Sequence, residues 1–214
     1  FGGRAARVER GRELVNRYNC VGCHTIEGRG GEILQQQPND KDRTLQPPNL
    51  RAEGLKISTE FLVDFLKNPG SSPIRPWLKI RMPTFPLTDE ERADLIAYFR
   101  AVDGIDSPFD QPVAAVNATL AAAGEAQLDK NGCRACHLIK GSRRDSVDEK
   151  TNMGPELANV HRRFRPDGLE AWLAAPGDLM PGVNMPGFYY ESTRKGLEPQ
   201  IPDPATGKPT KEAS

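Results

Sequence analysis

The stretch Cys20-Val21-Gly22-Cys23-His24 decides the reading of this chain, because it returns 113 positions later as Cys133-Arg134-Ala135-Cys136-His137. The surroundings repeat with it. Residues 4–19 read as a helix, with Val8, Leu14, Val15 and Tyr18 near one face and Arg4, Arg7, Arg10, Arg12 and Arg17 mostly elsewhere, a solvated charged side. Asn19 tolerates the left-handed backbone that stops a helix, and Gly132 holds the same place after a second predicted helix over residues 117–130.

A C-x-x-C-H stretch presents two thiols that can each add to a vinyl group of one haem, and a histidine then held beneath the iron. Two other chemistries use paired cysteines. A tetrahedral zinc site would need the two distant stretches to meet at one metal, and a thioredoxin-like pair would follow a strand and give no reason for the histidine. Two copies in a repeated context favour covalent haem over both. All four cysteines of the chain lie in these stretches, so no disulfide framework and no spare thiolate ligand is expected.

The rest of the repeat drifts in register. Pro48 and Pro155 stand 107 positions apart, as do Leu50 and Leu157, so the first half carries six extra residues in its polar loop, around 35–37. Next comes a short helix over residues 60–68, capped by Ser58 and stopped by Pro69; its counterpart is expected to be capped by Asp167, with Glu170 completing a capping box, and to stop at Pro176. Phe65 and Trp172 occupy matching places. Met82-Pro83-Thr84-Phe85 and Met185-Pro186-Gly187-Phe188 then stand 103 apart, after a further insertion around 71–77. The first half closes on a helix opened by a Thr88 and Glu91 capping box, with Leu95, Ile96, Phe99 and Val102 as its apolar stripe and Gly104 as its stop. The second half has no such helix.

These signals divide the chain into a first domain over 1–104, a linker over 105–115, a second domain over 116–190, and an extended or disordered tail over 191–214 with prolines at 199, 202, 204 and 209. A hydrophobic share of 37% with 20 Gly and 19 Pro is poor in core and rich in loops, a deficit that a large apolar porphyrin offsets. Lys+Arg and Asp+Glu are equal at 29 each, which provides no global field for nucleic acid or an acidic membrane. No run of about 18 apolar residues exists to span a bilayer. The sequence opens at Phe1 without a charged-then-apolar leader, so a signal peptide or anchor is expected to have been removed or to lie outside it.

Taken together, the helix before each C-x-x-C-H, the Pro and Leu at Pro48 and Leu50 or Pro155 and Leu157, and the Met-Pro-x-Phe stretches resemble the class I cytochrome c family in tandem dihaem form, as in the cytochrome c4 group. The likeness covers residues 4–104 and about 117–188. It implies an all-α, loop-rich fold of two tandem domains, each wrapped around one covalent haem c, the second lacking the closing helix. It implies that Cys20, Cys23, Cys133 and Cys136 hold the two haems, that His24 and Met82 ligate one iron and His137 and Met185 the other, and that the carbonyls of Pro48 and Pro155 accept the second ring nitrogen of each histidine. The alternatives for the second iron are Met180, His161 or no sixth protein ligand; Met153 would lie on the histidine side of its haem, and His161, which aligns with Gly54, reads as a surface residue. Trp77 and Trp172 are placed to donate to haem propionates or to pack on the porphyrin.

Two six-coordinate haems imply single-electron transfer between redox protein partners, with no bond-making chemistry, either in a subunit of a respiratory or photosynthetic membrane complex or in a soluble periplasmic shuttle. Balanced charge leans toward the complex, because shuttles often carry a strong docking field. The rival is a dihaem peroxidase, which would need an open iron position and nearby acid and base groups. The resemblance also implies that the haem is attached outside the bacterial cytoplasm, so the protein is expected in the periplasm or on the outer face of the bacterial cytoplasmic membrane. Finally, the opening helix of the second half, with Leu120, Ala121 and Leu128, would expose several hundred Å² of apolar surface on an order-of-magnitude basis, enough to mark an interaction site. The tail is therefore expected to run extended over a partner subunit.

Overall fold

A computed structural model describes residues 2–35, 46–71, 74, 81–106, 115, 117–139 and 154–188. Trp77, Met153, Gln36 and Gln37 of the first loop insertion, most of the 71–77 insertion and the 105–115 linker, and the tail from 189 onward lie outside the described residues.

The described chain is mostly helical, and its largest packing contact is a helix crossing. Helix α1, Gly2–Arg17, opens the first half, and short α2, Cys20–Cys23, follows it. The hairpin β1, Thr25–Ile26, and β2, Arg29–Gly30, leads through α3, Glu32–Gln35, α4, Glu53–Lys56, and α5, Thr59–Lys67, to the closing helix α6, Asp89–Val102. Both arms of the expected capping box form at α6: Glu91 N–H donates to Thr88 Oγ1 at 3.1 Å and Thr88 N–H to Glu91 Oε2 at 2.9 Å. Gly104, at φ 71°, ends the helix.

Gly11 sets how closely α1 and α6 approach. A Cβ there would lie 2.3 Å from the Asp94 carbonyl oxygen and 2.6 Å from Tyr98 Cβ. Around this crossing, Leu14, Val15, Ile26, Leu87, Leu95 and Tyr98 form a buried cluster. The α6 stripe read from the sequence needs correction: Val102 is 40% exposed, whereas Tyr98 is 1% exposed. The reason is that α6 has two buried faces. Leu95 and Tyr98 face α1, while Ile96 belongs to a second cluster. Tyr98 can sink its ring because its hydroxyl donates to Glu27 Oε2 at 2.6 Å. That bond, with the Arg12 guanidinium at 2.9 Å, draws the Glu27 carboxyl below the usual carboxylate range. Burial, and then the carboxylate, push the phenol upward.

In the second half α7, Ala118–Lys130, is followed by a 3-10 turn, Cys133–Ala135, then by α8, Val160–Arg163, α9, Pro166–Ala174, and α10, Pro176–Leu179. Asn117 caps α7 through Thr119 N–H at 3.0 Å and Leu120 N–H at 3.1 Å. Asp167 does not cap α9. The N-cap is Arg165, with Pro166 at the first helical position. The backbone N–H of Arg165 is engaged by Lys56 O at 2.8 Å, and the Asp167 carboxylate turns back to the Arg165 guanidinium at 3.2 Å.

The two halves meet through equivalent backbone. Ile57 and Phe164 form an antiparallel bridge, flanked by Ser58 N–H to Arg163 O at 2.9 Å and Arg165 N–H to Lys56 O at 2.8 Å. Ile57 pairs with its own equivalent 107 positions on, and Lys56 and Ser58 each bond to the residue 107 positions on from the other, so the junction is reciprocal, as across a two-fold axis. Ile57, Leu62, Ile96 and Phe164 are buried there together, with Trp172 packed against them. Gly168 lets the segments close, since a Cβ on it would lie 2.6 Å from Leu55 O.

Helix α7 stands apart from this packing. It contains no buried residue, and Leu120 is 58% exposed. Gly124 holds the place that Gly11 holds in α1, yet a Cβ added to it meets nothing within 4 Å among the described residues.

Candidate functional site

Each C-x-x-C-H begins on a left-handed residue. Asn19, at φ 50°, turns the chain into α2, and Gly132, at φ 68°, turns it into the 3-10 turn at Cys133. His24 N–H then donates to Cys20 O and His137 N–H to Cys133 O, both at 2.9 Å, so the two thiols and the imidazole come off one tight coil in each half. None of the four cysteines is in a disulfide. Burial pushes the Cys20 and Cys133 thiols up, which keeps them protonated.

The proline segment is hung beside each histidine by matching bonds. Leu50 N–H donates to Thr25 O and Leu157 N–H to Leu138 O, each at 3.0 Å. This places Pro48 O 2.7 Å from His24 Nδ1 and Pro155 O 2.7 Å from His137 Nδ1. A carbonyl only accepts, so in each ring Nδ1 carries the proton and Nε2 the lone pair. Burial lowers the His137 pKa, which keeps the ring neutral, the form that binds a metal. Gly154 lies under this imidazole; a Cβ there would stand 2.4 Å from His137 Cε1.

The methionines are held on separate loops. Met82 is half-buried, and the Phe85 that follows it meets Tyr18, just past the end of α1, edge-on, with ring centroids 5.4 Å apart. Met185 is fixed more directly. Phe188 N–H donates to Leu173 O at 2.9 Å, and Gly187 passes so close to α9 that a Cβ would lie 2.5 Å from Ala174 O. Trp172 Nε1–H then donates to Met185 Sδ at 3.2 Å. Met180 ends α10, with its N–H on Pro176 O at 2.8 Å.

His161 is exposed. Its counterpart Gly54 cannot be a larger residue, because a Cβ there would lie 2.5 Å from Phe99 O and 2.6 Å from the Arg100 backbone of α6. Sequence reasoning did not find that constraint, or the ones at Gly11 and Gly168.

Among the described residues no group of three or more His, Cys, Asp or Glu side chains could hold a metal ion. The donor set instead fits haem c: paired thiols, an imidazole whose tautomer is fixed by a carbonyl, and a thioether on a separate loop. Residues 8–103 match the family model for cytochrome c. No curated protein and no solved structure matches the chain. The cytochrome c region contains Cys20, Cys23, His24, Pro48 and Met82, and it supports an electron-transfer haem protein that holds its haem covalently and acts with redox partners. Among the described residues no helix is long and apolar enough to cross a membrane.

Proposed function

We propose that the chain is a dihaem electron carrier built of two tandem class I cytochrome c domains. The observation that carries this reading is the pair of histidine to proline bonds, both 2.7 Å, one inside the cytochrome c match and one beyond it. Cys20, Cys23, His24 and Met82 would hold one haem and Cys133, Cys136, His137 and Met185 the other. Haem supplies a reversible one-electron couple, and a thioether opposite an imidazole favours its ferrous form. The chain's own residues fix the tautomers of the two histidines, a role that suits a carrier of single electrons rather than an enzyme.

The same reading places it in the periplasm or on the outer face of the cytoplasmic membrane, as a subunit of a respiratory or photosynthetic membrane complex. Exposed Leu120 and the open space at Gly124 favour a complex component, because a glycine inside a helix costs about 1 kcal/mol and is kept where another backbone crosses. The tail beyond residue 190 would run over that partner. A potentiometric titration followed in the visible spectrum tests the function: two one-electron waves with wholly low-spin spectra are expected, and a high-spin haem that binds peroxide would contradict it.

A further inference from the structure

We infer that Trp172 is a positioning residue that raises the reduction potential of the second haem through the sulfur of Met185, and that Lys56 of the first half reinforces it. The inference rests on the dihaem reading above. A thioether sulfur has two lone pairs, so it can accept a hydrogen bond and still ligate a metal. Trp172 Nε1–H occupies one of them at 3.2 Å. A donor at a ligand sulfur withdraws electron density from it, which weakens donation to iron and favours the reduced state.

The indole is not a loose neighbour. Phe164 meets it at 6.0 Å between ring centroids, in the cluster that joins the halves. Lys56 Nζ lies 5.3 Å from the centroid of the indole ring, on a side chain from the other half that is itself 4% exposed and paired with Glu53 at 3.0 Å. A cation on the π face draws electron density from the ring and makes the N–H a stronger donor. This acts in the same direction as the hydrogen bond itself. In the matching place of the first half stands Phe65, which has no N–H and stacks on Phe61 at 5.8 Å. The matching positions thus differ in one donor, which shifts the potential of the second haem upward, and the one-electron change breaks no bond and moves no proton.

The test uses the holoprotein. Met185→Ala first assigns one redox wave and one sulfur-to-iron absorption band to the second haem; if both bands survive in that variant, Met185 is not an iron ligand, and the ligation reading fails and the inference with it. In Trp172→Phe the assigned wave is expected to move to lower potential, with the other wave unchanged and the sulfur-to-iron band retained. An unmoved wave with the band retained overturns the inference. Loss of the band also overturns it, because Trp172 would then only hold the loop in place. Should Trp172→Phe fail to fold, Lys56→Gln reads the same contact: a smaller drop of the assigned wave supports the inference, and no drop overturns it.

Discussion

His137 donates its Nδ1 proton to the carbonyl of Pro155 at 2.7 Å, the distance at which His24 serves Pro48 in the other half. The loops between histidine and proline differ by six residues, yet the bond is the same. Matching backbone bonds at Leu50 and Leu157 hold each proline segment, so loop length is taken up elsewhere. Such a bond orients the imidazole and keeps Nε2 basic, and it is what a ligating histidine needs.

Gly11 lies where α1 and α6 come closest, with backbone and not a flexible side chain 2.3 Å from its would-be Cβ. Gly11→Ala is expected to force the helices apart and cost about 1–3 kcal/mol, the range for overpacking a tight core. Denaturant unfolding should show a lower midpoint. Gly124→Ala, where nothing lies within 4 Å, should leave the isolated chain as stable or slightly more so.

Phe164 and Ile57 bridge the halves and are 8% and 1% exposed. Phe164→Ala is expected to remove about 3–5 kcal/mol of buried contact. Because that contact lies at the junction, calorimetry should show one cooperative transition for the parent and two separated transitions for the variant. A single transition, shifted as a whole, would mean that the halves are coupled by something other than this cluster.

The candidate site residues were legible in the sequence because they stand in patterns of fixed spacing: C-x-x-C-H, the left-handed residue before it and the Pro-x-Leu after it. The Thr88 capping box was legible for the same reason, since its two bonds join residues three apart. What escaped depended on contacts remote in sequence. Asp167 had the chemistry of a cap, but the bridge to Lys56 recruited Arg165 and started α9 at Pro166. Tyr98 is a polar-tipped residue whose burial needs Glu27, 71 positions away. The bridge between halves involves one residue pair and has no period to read. The tight turn at Glu27, φ 49°, and Gly28, φ 75°, was hidden because a two-residue strand on each side is too short to alternate.

The central claim is that the second half holds a haem of its own, although the cytochrome c match ends at residue 103. The most direct measurement is the number of haems covalently bound per chain, read as intact mass together with the alkaline pyridine spectrum of the purified holoprotein. Two haems per chain are expected, falling to one in a Cys133→Ala, Cys136→Ala double variant. One haem in the parent, unchanged in that variant, would contradict the claim.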